Sequence, residues 1–199
     1  MGPGGRSVPR LAPEYYRDDD VVALARDLLG KVLCTCIEGT LTSATITETE
    51  AYRGPGDRAS HAWNNRRTRR TEPIFAAGGL AYVYLCYGIH HLFNVVTGPA
   101  ETPHAVLVRA GQPLQGKEVI RSRRGEGVPE RRLLSGPGSL GKGLGITTDL
   151  TGADLQGGTV WIEERGVSIP DTAVDIGPRV GIDYAGEDAA LPWRFIARL

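Results

Sequence analysis

The chain is expected to fold as an α+β protein, and three observations carry that expectation. The stretch 18–30 has the leucine spacing of an amphipathic helix, set between aspartates that can cap it and a glycine that can end it. The stretches 31–52 and 80–96 each read as β-branched or aromatic runs folded about a short glycine turn, the pattern of an antiparallel hairpin. Strands that pair with their sequence neighbours, with helices kept apart from them, favour α+β over an alternating parallel fold.

Residues 1–13 are rich in Gly, Pro and Arg and are expected to form a disordered tail, leaving one domain over 14–199. Asp18 to Asp20 offer caps, Val21, Leu24, Ala25, Leu28 and Leu29 make the buried stripe, and Gly30 stops the helix. Lys31–Ile37 and Leu41–Tyr52 then form the first hairpin about Glu38-Gly39-Thr40. At period two, Ala44, Ile46, Glu48, Glu50 and Tyr52 share one face of the second strand, and Thr45, Thr47, Thr49 and Ala51 the other. Gly54-Pro55-Gly56-Asp57 ends it. A carboxylate at a strand end, beside a tyrosine and a loop, suits a general base. The same pattern also describes a solvated edge strand, and the residues alone leave both readings open.

From Arg58 to Thr71 the chain is polar, with four arginines in positions 66–70. Such a run is either a solvated loop or a grip on phosphates. Leu80–Tyr87 is the strongest strand signal, and Gly88 turns it into a strand from His90 to Val96. Tyr87 falls at that hairpin's tip; tyrosines in strands are mostly packing, but with little core at a tip the alternative is a wedge for a base stack. His104–Ala110 is a further strand carrying Arg109 among apolar neighbours. A buried arginine needs an anion, either an acid such as Glu50 or a phosphate. Residues 116–124 look helical, 121–132 form a basic mobile loop, and Val160–Glu163 and Trp193–Ile196 are late strands joined by an acidic, Gly- and Pro-rich connection.

Composition excludes several classes. Hydrophobic residues at 41% and charged residues at 23% suit a globular protein. No run is apolar enough to span a membrane, the start has no signal-peptide core, and Arg6 breaks the myristoylation pattern, so a cytoplasmic protein is expected. Cys34, Cys36 and Cys86 lack zinc spacing and are expected to be reduced thiols. The four histidines match neither a zinc hydrolase nor a deaminase pattern. Gly136–Gly143, G-P-G-S-L-G-K-G, nearly matches a P-loop but has Gly143 where a hydroxyl belongs and no strand before it. A short helix capped by Ser135 with Pro137 in its first turn is the preferred reading. The net charge of zero hides a basic middle, since residues 53–132 hold 13 Lys or Arg against 6 Asp or Glu. That asymmetry suits a polyanionic partner.

Taken in order, E-T-E-A-Y at 48–52, D-R-A-S-H at 57–61, Y-V-Y-L-C-Y-G at 82–88, N-V-V at 94–96 and R-A at 109–110 resemble the alkyladenine (3-methyladenine) DNA glycosylase family of mammalian type. The resemblance runs from about Tyr16 to the C-terminus. It implies a curved antiparallel sheet with flanking helices and a protruding hairpin that enters DNA. By motif match it implies Glu50 as the carboxylate that activates water and Arg109 as the arginine beside that water. It implies Tyr52 and Tyr84 as the aromatics around a flipped base, His61 at the pocket edge, and Asn94 as the residue that disfavours a 2-amino group. Tyr87 matches the wedge, and Arg66, Thr68 and Arg70 match the loop on the DNA backbone. The chain departs from the vertebrate pattern at Arg69, and at Ile74, where a methionine is familiar beside the wedge.

The resemblance implies a monofunctional glycosylase that initiates base excision repair on damaged double-stranded DNA. It implies no metal or other cofactor and no membrane partner. A monomer is expected, nucleoid-associated if bacterial and nuclear if eukaryotic. Pocket positions carry no matching lysine, so no strand-cleaving activity is expected. Two other readings stand beside it: a non-catalytic module that binds damaged DNA, which would leave Glu50 repelling phosphate, and a nucleotide-binding enzyme using Gly136–Gly143. A base-flipping methyltransferase would need a cofactor motif that the sequence does not offer.

Overall fold

The computed structural model describes residues 8–198. An eight-stranded sheet, antiparallel at every pairing, forms its frame, and three short α-helices pack against it. The strands are β1 (Val32–Ile37), β2 (Thr40–Arg53), β3 (Ala81–Cys86), β4 (His90–Thr97), β5 (His104–Gln115), β6 (Val160–Glu163), β7 (Val174–Gly177) and β8 (Arg194–Ala197). Their order is β3-β4-β5-β2-β1-β6, with β8 added to the far half of β2 and β7 to β8. The helices are α1 (Val21–Asp27), α2 (Lys117–Arg124) and α3 (Pro137–Leu144). The α+β expectation holds.

α1 begins where Asp20 accepts from the amides of Val22 and Ala23, two donors that a helix start would otherwise leave unpaired. Its buried face joins Ile46, Val106, Val108 and Phe93 in the main core. Of the expected N-terminal tail, residues 1–7 lie outside the described region, while Arg10 pairs with Glu163 and Leu11 is buried against β6.

β2 is the strand on which the rest depends. It is central rather than an edge, pairing with β5 along most of its length, with β1 at its start and with β8 at its end. The strict period-two reading of its faces fails. The register shift between Ile46 and Glu48 leaves Thr47 as an extra residue on β2, that between Glu48 and Thr49 leaves Arg109 as an extra residue on β5, and the bulge at Thr47 moves every later side chain of β2 to the other face. Ala44 and Ile46 therefore share the main core with Ala51, and Thr49 bonds the Ala25 carbonyl of α1. Glu48, Glu50 and Tyr52 face the opposite side.

The glycines of α3 are explained by packing. A β-carbon at Gly141 would collide with the His91 carbonyl, and one at Gly138 would stand 2.6 Å from the His90 ring, so only glycine lets this helix lie on β4. The helix is capped by Gly136 at φ +110, not by Ser135, whose hydroxyl turns back to the Arg132 carbonyl at 3.4 Å. All three cysteines are free, and burial pushes the Cys34 thiol up to about 12. No helix among the described residues is long and apolar enough to cross a membrane.

Candidate active site

A cavity of about 480 Å³ opens between the β3–β4 hairpin, the loop after β2 and the segment 180–184. It is roomy enough for a purine, and its lining is mainly aromatic and aliphatic. Tyr84 and Tyr52 stand on different walls: Tyr84 packs with Ile74, Tyr82, Val96 and Ala105, whereas Tyr52 packs with Ala59, Ile182 and Ala185. His61 lies edge-on to Tyr84 with ring centres 4.6 Å apart, and its Nδ1 meets the Tyr82 hydroxyl at 2.9 Å. Burial, reinforced by the charges of Arg70 and Arg66, lowers the His61 pKa to about 4, so the ring is neutral at physiological pH. Asn94, buried on β4, donates from Nδ2 to the carbonyls of Tyr82 and Leu92 at 3.1 and 3.2 Å.

Behind this cavity runs a row of charges. Arg194 Nε and Arg109 Nε both donate to Glu48 Oε1, at 2.7 and 2.8 Å, and Arg109 Nη1 stands 3.3 Å from Glu50 Oε2. Burial opposes the Arg109 charge, but the carboxylates of Glu50 and Glu48 outweigh it and raise the pKa. Glu50 is fully buried. Its Oε2 accepts from the Tyr52 hydroxyl at 2.8 Å and its Oε1 from the Val180 amide at 2.8 Å. Burial and then the Glu50 charge push the Tyr52 hydroxyl well above its usual range, which keeps it a donor. The part-buried arginine thus finds its anion in acids of β2, one of the two alternatives that the sequence leaves open for it.

At the mouth, Tyr87 is 89% exposed at φ +52, followed by Gly88 at φ +74, the positive pair that a tight hairpin turn uses. A left-handed conformation costs a non-glycine residue about 1–2 kcal/mol. Ile89, 71% exposed, stands beside Tyr87, whereas Ile74 is buried among Tyr82 and Val96. The residue neighbouring the tip is therefore Ile89, a correction to the expectation for Ile74.

The arginine loop divides. Arg67 is held by Glu72 and Glu101 at 2.7 Å each. Among the described residues, Arg66, Arg69 and Arg70 have no carboxylate partner, and Arg70 leans over the Tyr84 ring at 5.4 Å. Thr68 is tied into its own loop, its amide donating to Thr71 Oγ1 at 2.8 Å and its hydroxyl accepting from the Thr71 amide at 3.2 Å.

The residues that sequence reasoning missed lie in the connection before β8. Val180, Gly181, Ile182 and Tyr184 line the cavity, and Tyr184 is 72% exposed at its rim. The signal was thin: an arginine, Arg179, set in an apolar P-R-V-G-I run within an acidic stretch.

Comparison with known proteins finds one family and close relatives in sequence. The model of the family described as methylpurine-DNA glycosylase (MPG) matches residues 14–198. A Chlamydia felis protein provisionally named 3-methyladenine DNA glycosylase is 45% identical over 190 residues, covering 95% of this chain and 96% of its own. A Chlamydia pneumoniae protein of the same provisional name is 46% identical over 187 residues, 94% of each chain. One from Bacillus thuringiensis is 43% identical over 193 residues, 92% of this chain and 94% of its own. The protein is a DNA repair enzyme of the glycosylase class, a hydrolase of N-glycosyl bonds. It belongs to the methylpurine-DNA glycosylase family.

Proposed function

We propose that the enzyme extrudes alkylated or deaminated purines from duplex DNA into the aromatic cavity and hydrolyses the N-glycosidic bond with a water activated by Glu50. The observation that carries this reading is a fully buried carboxylate at the back of a purine-sized aromatic cavity, held by Tyr52, Val180 and Arg109. Glycoside cleavage passes through an oxocarbenium-like sugar, which is stabilised by a nearby negative charge and trapped by an oriented water. Glu50 serves both needs, and Arg109 orients the same water and the adjoining phosphate.

Tyr52 on one wall and Tyr84 with His61 on the other stack the extruded base. Alkylation makes a purine electron-poor and often cationic, which strengthens its attraction to aromatic faces and improves it as a leaving group. Asn94, held rigid by its two carbonyls, excludes a 2-amino group. Tyr87 fills the space that the base vacates, and Arg66 and Arg70 hold the backbone. Arg70 must then leave the Tyr84 ring for a phosphate, while Thr68 shapes the loop before it meets DNA. The 3-methyladenine named in the relatives is the first lesion to test. The enzyme acts as a monomer and, with no lysine lining the cavity, cleaves no strand.

Single-turnover base release from duplexes carrying 3-methyladenine or hypoxanthine, with wild type and Glu50→Gln, tests the reading. Release by the wild type and its loss in the variant, with DNA binding retained, is expected. Equal release by both would remove Glu50 from the chemistry, and a borohydride-trapped covalent complex would refute the monofunctional assignment.

A further inference from the structure

One buried ion pair lies outside the charge row behind the cavity. The Arg179 and Asp57 side chains are both at zero exposure and meet through two bonds of 2.5 and 2.9 Å. The same guanidinium donates to the carbonyls of Ala51 at 2.9 Å and Asp188 at 3.2 Å. It also lies between two rings, 4.8 Å from the centre of Tyr52 and 5.1 Å from that of Trp193.

Stability does not account for this form, because a buried ion pair seldom holds a fold better than apolar residues of the same volume. What the fork does is tie four stretches to one rigid plane: the end of β2, the turn at Asp57, the 3-10 turn at Asp183–Ala190 and the start of β8. Both ends of one catalytic contact belong to those stretches. Ala51, which accepts from Arg179, follows Glu50 in the chain, and Val180, which follows Arg179, donates its amide to Glu50 Oε1 at 2.8 Å. The Tyr52 ring that flanks the guanidinium carries the hydroxyl bonded to the other Glu50 oxygen.

We propose that the Arg179–Asp57 pair is a positioning device for Glu50, holding the Val180 amide on one carboxylate oxygen so that the other keeps a fixed direction toward the cavity. The pair never touches substrate. The inference rests on the reading of Glu50 as the water-activating base. It separates Arg179 from Arg109: the first sets where the carboxylate points, and the second faces the reacting groups.

Two alterations test it. Arg179→Met with Asp57→Asn removes the ion pair while leaving residue 57 an acceptor for the Ala59 amide that Asp57 now caps at 2.9 Å. Replacing Val180 by its α-hydroxy acid turns one amide into an ester, which removes the N–H on Glu50 and leaves every side chain in place. Single-turnover base release and affinity for the lesion duplex are measured for both, beside wild type and Glu50→Gln. Misplacement of a catalytic group costs about a hundredfold in rate, so both alterations are expected to slow release by about that factor without weakening DNA binding. Wild-type release by the ester protein, or by the folded double variant, overturns the proposal. If the double variant does not fold, the ester protein decides alone. Absence of release by the wild type would remove the reading of Glu50 itself, whereas normal wild-type release with unaffected variants would remove only the positioning role.

Discussion

Arg109 is held by Glu48 at one end and faces Glu50 at the other: its Nε donates to Glu48 at 2.8 Å while its Nη1 stands 3.3 Å from Glu50. Glu48 is thus the neighbour that orients the arginine. Glu48→Ala would free both Arg109 and Arg194, and because misplacing a group at a reacting centre slows the chemistry, base release is expected to fall by about tenfold. Duplex affinity should change little. Unchanged single-turnover rates would mean that β5 alone orients Arg109.

The exposed ring of Tyr87 has no packing role to lose. Tyr87→Ala should therefore leave the melting temperature near that of the wild type, yet slow base release from duplex more than from single strands. A wedge matters only where a base stack must be opened. An equal loss on both substrates would argue against insertion.

Asn94→Ser shortens a side chain that lines the cavity and removes two hydrogen bonds to backbone carbonyls. Release of purines bearing a 2-amino group should rise relative to hypoxanthine, at a stability cost of about 1–2 kcal/mol. Competition between the two lesions and a urea melt measure both effects.

His61 makes stability depend on pH. Its folded pKa of about 4 lies below the ordinary value of 6.5, so between those values the unfolded chain binds a proton that the native state does not. The stabilisation from keeping this ring neutral is fully present above about pH 6.5 and is lost as the pH falls toward 4. Its size, with allowance for partial exposure, is about 2 kcal/mol. Thermal melts of wild type and His61→Gln should converge over that range, and parallel curves would assign the acid sensitivity elsewhere.

Arg66 is without a carboxylate partner among the described residues, while Arg67 is bound by Glu72 and Glu101. Arg66→Ala should lower the slope of log affinity against log salt by about one phosphate contact, and Arg67→Ala by less. Affinity measured across a salt series distinguishes them.

Much of this was written locally. The α1 cap and stripe, both hairpins and the exposed tip at Tyr87 follow from spacing and turn chemistry, whereas the need of Arg109 for an anion was legible and its choice of strand carboxylates was not. Motif order led from those elements to the family, and the family model agrees over 14–198. The uniform face expected of β2 does not form, because a bulge leaves no mark in a run of alternating threonines and acids; its position is set by pairing with β5 and β8.

The sequence by itself determined α1, the two hairpins with their antiparallel pairing and the chemical types at the candidate site, because caps, turns and periodicity act over a few residues. Only the tertiary structure decided that Glu48 anchors Arg109, that Arg67 is withheld from the open arginine loop, and that Val180 meets Glu50 across 130 residues of chain. Such contacts are selected by packing between distant segments, where burial and the pairing of charges, rather than local propensity, choose the partner.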